Sequence, residues 1–318
     1  MLSLLCFVIG NIIAEEILQI RRKFTKISFQ IFLIANTAVS IFLSYRYMAI
    51  TFSLSYLFSV LGAFSFVAMY RYNRNIITYS ILSIGFITLS LGLYQANLGC
   101  TLILLSLVLI KNLWQLQKES IWNYLKKIIH AIVMIGCACI LYAVIWKIFL
   151  SLMHTQKSTY HGAASISVVS ILSSLPRSIH AAYTAFLQYF MPGQWQNIYQ
   201  QKYIFLFIVF ALFTIITIYS IVHKAKWSNK ILSLICIALL PLFANVCLLL
   251  APDADGMQLQ MTMPMAMILP GLIAMIDSIN IQDNHLKLIK LLFFAFGNVM
   301  MVSTDQHVML QSKIQALH

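Results

Sequence analysis

The chain has only eight carboxylates among its 318 residues, and two of them are separated by a single residue. Asp253 and Asp255 lie in residues 251–256, a stretch that also contains a proline and a glycine. This composition is typical of a capped turn before a helix. It equally suits a general base, because a carboxylate can accept the proton of an attacking hydroxyl group. Both interpretations stay open from the sequence.

A second candidate group is Arg46, which stands between Tyr45 and Tyr47 in the short polar stretch 44–48. Arginine presents a planar fork of donors that matches the oxygens of a phosphate. Aromatic side chains beside it are suited to holding a sugar. The alternative is that Arg46 extends from a helix end to the lipid headgroups, as long basic side chains commonly do.

Arg177 is the second arginine with possible chemistry, and it follows Pro176 within residues 151–202. The apolar stretches on either side of this pair are too short to cross a bilayer comfortably. We expect the whole region to lie outside the cytoplasm, as interfacial or re-entrant helices broken at Pro176.

The composition places these residues in a membrane protein. Hydrophobic residues make up 61% of the 318 residues and charged residues only 9%, with a mean hydropathy of +0.88. A soluble domain of this size needs far more polar surface. The net charge of +13 comes in short clusters between apolar runs, which argues against nucleic acid as a partner. The six cysteines lie in apolar segments without metal-ligand spacing, so we expect neither a metal nor another cofactor.

Long apolar runs predict the elements that position the candidate residues. Continuous runs favour helices over a membrane barrel, whose strands alternate. The sequence therefore predicts an all-α, polytopic membrane protein that forms one transmembrane domain over residues 1–318, with an amphipathic cytoplasmic segment at 114–127. About ten spans are expected, at 2–20, 27–44, 54–70, 76–93, 96–113, 128–149, 203–222, 231–250, 263–279 and 288–304.

The distribution of lysine and arginine predicts the orientation, because cytoplasmic loops are enriched in both. Most of the 21 basic residues fall in alternate loops, at 21–26, 71–74, 111–127, 224–230 and 287–290. If these loops are cytoplasmic, both termini lie outside. The stretches that contain Arg46, Arg177 and the two aspartates then lie on the outer side together.

Four short stretches resemble a known family. They are Ile34-Ala35-Asn36, residues 45–48, Leu54-Ser55-Tyr56-Leu57 and residues 90–97, in which Tyr94-Gln95 is the most specific element. These motifs are similar to those of the Gtr type II glucosyltransferases of bacteria and their phages. The resemblance implies an enzyme of the bacterial inner membrane that modifies the lipopolysaccharide O-antigen or a related surface glycan. Its donor would be glucose linked to undecaprenyl phosphate, and its site would face the periplasm.

A transferase of this type needs a cation near the leaving phosphate, a base for the acceptor and groups that hold the sugar. We assign the base to Asp253 or Asp255 and the phosphate contacts to Arg46 and Arg177. The sugar contacts are assigned to Tyr45, Tyr47, Tyr94, Gln95 and Asn97.

One departure from the family and two alternative functions remain. Family members have an acidic residue in an outward loop after the first helix, whereas no such loop precedes Arg21 here, so we expect an N-terminally shortened form. An O-antigen polymerase would also combine many helices with a long outward loop. A transporter of polysaccharide or lipid-linked sugar would show inverted repeats and ionisable groups at mid-membrane.

Overall fold

The computed structural model describes residues 2–34, 36–45, 47–115, 120–154, 168–190, 214, 218, 227–250 and 261–277. All regular elements in these ranges are helices. Arg46, Asp253 and Asp255 lie outside the described residues, as do the predicted spans 288–304 and most of 203–222.

Twelve α-helices can be delimited in the described part of the chain. The first six are α1 (Leu2–Leu18), α2 (Lys23–Ile34), α3 (Thr37–Ser44), α4 (Ala49–Arg71), α5 (Ile76–Leu93) and α6 (Leu98–Gln115). The others are α7 (Ile121–Leu152), α8 (Val168–Phe190), α9 (Trp227–Ala244), α10 (Val246–Leu250), α11 (Met263–Ala266) and α12 (Ile268–Asp277). A single 3₁₀ turn, Gln95–Asn97, connects α5 to α6.

The helical class predicted from the apolar runs is confirmed for the described residues. Five helices there are long and apolar enough to cross a membrane, and a sixth span results if the bent pair α2–α3 is counted as one. Polytopic membrane character is thereby supported, while the expected number of ten spans stays a prediction. The five helices agree closely with the predicted spans 54–70, 76–93, 96–113 and 128–149, and with the first part of 231–250.

Three predicted spans are interrupted rather than continuous. The span 27–44 is bent by 45° between α2 and α3, where the side chain of Asn36 accepts a hydrogen bond of 2.8 Å from the amide of Ala38 and caps α3. The span 231–250 is divided at Asn245, four residues after Pro241, and the span 263–279 is divided at Met267. Short polar side chains and prolines favour helix ends, which explains the first two interruptions.

Small residues and hydroxyl groups join the central helices α4, α5 and α6. The hydroxyl oxygen of Ser55 lies 3.0 Å from the carbonyl oxygens of both Ser90 and Tyr94. The Ser83 hydroxyl donates to the Gly62 carbonyl over 2.8 Å. A Cβ atom at Gly62 would lie 2.7 Å from a side-chain carbon of Ile87, so only glycine allows this approach of α4 and α5. Such contacts are typical of helix packing in membranes.

One end of this bundle is rich in charge, and we call it the basic end. It contains Glu15, Glu16, Lys26, Arg71 and Lys111. Arg71 donates hydrogen bonds of 2.8 and 2.7 Å to the carbonyls of Glu16 and Ile17, and Lys111 donates to that of Leu18. All three carbonyls belong to the last turn of α1, where the helix dipole favours cations.

Tyr72 belongs to the same end of the bundle. Its hydroxyl donates a 2.6 Å hydrogen bond to the Glu16 carboxylate. That hydrogen bond to a negatively charged acceptor raises the pKa of Tyr72, because loss of the phenol proton would leave two anions in contact.

Two predicted segments differ from the structure. Residues 121–127, expected to belong to a separate surface helix at 114–127, form the first turns of the 32-residue helix α7. The helix break expected at Pro176 is wrong, because this proline lies inside α8, which is one continuous helix of 23 residues. Proline removes only one backbone donor from the helix. Packing of α8 against α9 and α10 compensates, with Ala182 and Phe186 buried on the contacting face.

The hydroxyl of Ser55 provides a test of the α4–α5 contact. Ser55→Ala removes an interhelical hydrogen bond and is expected to lower the free energy of unfolding by about 0.5 to 1.5 kcal/mol. Ser106→Ala is the matched control, since Ser106 is also buried but bonds only to Leu102 of its own helix. Thermal unfolding of both detergent-solubilised variants measures the difference. Equal stability losses would contradict a special role for Ser55.

Candidate functional site

The turn between α5 and α6 lies at the end of the bundle opposite the charged residues, and the central serines hold its backbone. Ser55 contacts the carbonyl of Tyr94, as described above, and the Ser59 hydroxyl donates a 2.6 Å hydrogen bond to the carbonyl of Asn97. Both serines are fully buried. The residues predicted to contact a sugar at 94, 95 and 97 are therefore carried on a turn whose two ends are fixed.

Asn97 faces the interior. It is fully buried, and its side-chain amide donates a 3.3 Å hydrogen bond to the carbonyl of Phe52 at the start of α4. The Oδ1 atom of the same side chain lies 3.9 Å from the sulfur of Cys100. In this position Asn97 joins the turn to the start of α4 from the interior of the bundle. Its contact with a sugar stays a prediction.

Tyr94 carries a buried phenol. Its ring packs edge-on against Phe52, with ring centres 4.7 Å apart, and against Phe42 at 6.0 Å. Burial raises the pKa of this phenol above its ordinary value, so the group stays protonated at neutral pH. The hydroxyl has no hydrogen-bond partner among the described residues. Tyr94 thus carries an unpaired donor that is buried inside the bundle.

Tyr45 and Tyr47 extend the aromatic surface toward the α3–α4 connection. Tyr45 packs edge-on against Phe52, with ring centres 6.3 Å apart, and against Tyr47 at 6.5 Å. Tyr47 is 80% exposed. We call Tyr45, Tyr47, Phe52 and Tyr94 the aromatic patch. These rings connect the two predicted turns through packing, and the buried ring of Phe52, which the sequence did not indicate, lies between Tyr45 and Tyr94.

Gln95 is the exposed residue of the turn, and its partner comes from another helix. Its side-chain Nε2 donates a 2.6 Å hydrogen bond to the hydroxyl of Tyr142 on α7. The sequence offered no signal for Tyr142, because the two residues are 47 positions apart and Tyr142 lies inside an apolar run. Tyr142 joins the predicted site only through the packing of α7 against α5.

Arg177 is exposed on α8, and among the described residues no hydrogen bond or ring contact connects it to the aromatic patch. Its helix is fastened elsewhere. The Asn245 amide donates to the carbonyl of Ala182 over 2.9 Å, and the Asn36 amide donates to the Tyr189 hydroxyl over 3.2 Å. Both asparagines stand at the helix interruptions described above. The structure thus brings five predicted residues together at one end, without Arg177.

Comparison with known proteins identifies the family. The model of the family described as glucosyl transferase GtrII matches residues 1–276, which include the aromatic patch, Gln95, Tyr142 and almost all the described helices. No curated protein and no solved structure matches the chain significantly. The family resemblance inferred from residues 34–97 is confirmed, and the match supports glycosyltransferase activity. Since the match extends over most of its 318 residues, this chain belongs to the GtrII glucosyl transferase family.

Proposed function

We propose that this protein transfers a glucosyl group from an undecaprenyl-phosphate-linked donor to the O-antigen or another surface glycan, at the periplasmic face of the bacterial inner membrane. Membership of the GtrII family supports the transfer reaction. The aromatic patch beside Gln95 is the observation that carries the proposal. Rings of this kind supply apolar faces for a sugar, and the amide supplies polar contacts.

The two ends of the bundle support the proposed orientation. Lys26, Arg71 and Lys111 lie at the basic end, while the aromatic patch lies at the opposite end of α4 and α5. Because cytoplasmic ends are enriched in lysine and arginine, the basic end is assigned to the cytoplasm and the aromatic patch to the outside. We retain about ten spans and two outward termini as parts of this proposal.

In the proposed reaction, the acceptor hydroxyl displaces the lipid phosphate from the anomeric carbon of glucose. The bond from that carbon to the phosphate oxygen breaks, and the phosphate leaves with the bonding electrons. Arg46, with Arg177 as a second cation, would stabilise the added negative charge. Asp253 or Asp255 would take the acceptor proton as the new bond forms. Tyr45, Tyr47, Tyr94 and Gln95 would hold the glucose, with Asn97 fixing their turn.

The interrupted helices are also compatible with the alternative function of a transporter, because broken helices occur in transporters. Transporters place ionisable groups near the middle of the membrane. Among the residues that the structure describes, the buried charged side chains are Glu15 and Lys111, and both lie at the basic end. Together with the family match, this distribution favours the transferase over the transporter and the polymerase.

Arg46 is tested by separating its charge from its shape. If its guanidinium contacts the donor phosphate with two nitrogens, Arg46→Lys should already reduce glucosylation. Arg46→Ala should cost about 2 to 4 kcal/mol of transition-state stabilisation, by analogy with loss of one oxyanion donor. Glucosylation of the surface glycan is measured at equal protein levels. Arg74→Ala, at an exposed position of the basic end, serves as control. Full activity of both Arg46 variants would remove this residue from the site.

The two aspartates are tested separately. If one is the general base, its replacement by asparagine should lower kcat about 10²- to 10⁴-fold, because asparagine cannot accept the proton. Its neighbour should tolerate the same change, and both variants should keep normal thermal unfolding. Loss of stability with retained activity in Asp253→Asn and Asp255→Asn would instead identify a purely structural turn.

Cysteine labelling tests the orientation in a background in which the six native cysteines are replaced. Tyr47→Cys, at an exposed position of the aromatic patch, should react with a membrane-impermeant reagent in spheroplasts, where the outer face of the inner membrane is accessible. Lys226→Cys should react only after that membrane is permeabilised, because its loop is predicted to be cytoplasmic. The reverse pattern would invert the proposed topology.

A further inference from the structure

We infer that Tyr142 is a specificity-determining residue that, together with Gln95, recognises one hydroxyl group of the donor glucose. This inference rests on the proposed function and adds a contact from α7. The ligand it assigns is a neutral sugar hydroxyl, since neither side chain carries a charge.

The register of α7 against α5 places Tyr142 beside Gln95. His130 of α7 lies 3.2 Å from the Ser80 hydroxyl, and the carbonyl of Ala138 accepts a 3.3 Å hydrogen bond from Thr88. The Gln95–Tyr142 contact is the third along the same direction, so the two helices run parallel. α7 continues to Leu152, so Tyr142 lies well inside a helix. The backbone at Tyr142 is therefore fixed by the two contacts that hold α7 against α5 and by helical residues on both sides.

The hydrogen bond between the two side chains leaves complementary groups unused. Tyr142 accepts the Nε2 proton of Gln95, so its own hydroxyl proton is available to a ligand. The Oε1 atom of Gln95 is available as an acceptor at the same time. A sugar hydroxyl is both a donor and an acceptor, and one hydroxyl can therefore donate to Gln95 while it accepts from Tyr142. Gln95 is exposed and Tyr142 partly exposed, which leaves both accessible.

The fold does not depend on this hydrogen bond. Ser55 and Ser59 already fix the backbone of the turn, and Ser80 and Thr88 already join α5 to α7. An exposed hydrogen bond between neutral groups adds little to stability, because water replaces it on unfolding. The pair thus orients two polar groups beside the aromatic patch, where the proposed function places the sugar.

The test uses the purified full-length protein, glucose linked to polyprenyl phosphate as donor, and a set of donor analogues that each lack one glucose hydroxyl. Tyr142→Phe keeps the ring and removes the donor, and should lower kcat/KM for the glucose donor about 10-fold. For one deoxy analogue the wild-type rate should fall and the Tyr142→Phe variant should show no further loss. Gln95→Leu should also lower kcat/KM for the glucose donor and should show no further loss with the same deoxy analogue. The variant with both substitutions should have a kcat/KM no lower than that of either single variant.

Tyr72→Phe is the matched control, because it removes a phenol hydrogen bond of the same 2.6 Å length at the basic end. It should keep the wild-type rate, and thermal unfolding of every variant checks that the protein remains folded. The inference would be overturned if Tyr142→Phe lowered kcat/KM equally for every donor analogue, or did not lower it at all. Transfer of glucose by the wild-type protein in the same experiment would leave the proposed function intact. Absence of transfer by the wild-type protein would overturn both.

Discussion

Hydrogen bonds from serine and threonine hydroxyls to backbone carbonyls are the interactions on which the rest of the site depends. Between apolar helices in a bilayer there is little hydrophobic gain, so close packing and such polar contacts determine how helices associate. Ser55 and Ser59 hold both ends of the α5–α6 turn, and Thr88 holds α7 against α5. The positions of Tyr94, Gln95 and Tyr142 all follow from these few bonds.

The separation of charge and aromatic groups gives the bundle two chemically different ends. At the basic end, Arg71 and Lys111 cap the carbonyls at the C-terminus of α1, and Tyr72 contacts Glu16. The hydrogen-bonding groups of these side chains are thus paired within the protein. At the aromatic end, the ring of Tyr47 and the side chain of Gln95 are exposed. The charged groups of the basic end are therefore paired within the protein, whereas the aromatic end has an exposed ring and an exposed amide that a ligand can contact.

Helix α8 shows how tertiary contacts override a local signal. Pro176 predicts a break, because it removes a backbone donor and disfavours the helical conformation of the residue before it. The helix nevertheless continues, since Asn245 binds the Ala182 carbonyl, Tyr183 binds that of Ala238, and Tyr189 binds Asn36. Two of these partners stand where other helices are interrupted. The asparagines that end helices in the core are thus also the groups that fasten α8.

The sequence by itself determined the membrane class and most helix positions, because long apolar runs are local signals that solvation by lipid requires. The family followed from short motifs between residues 34 and 97. The sequence also indicated Tyr45, Tyr47, Tyr94 and Gln95 as neighbours in one site. Only the tertiary structure placed Phe52 between the tyrosines, turned Asn97 inward and brought Tyr142 to Gln95. These three features depend on the rotation and register of packed helices. In a uniformly apolar run no periodic pattern shows which face meets which neighbour, so that information appears only when the helices pack.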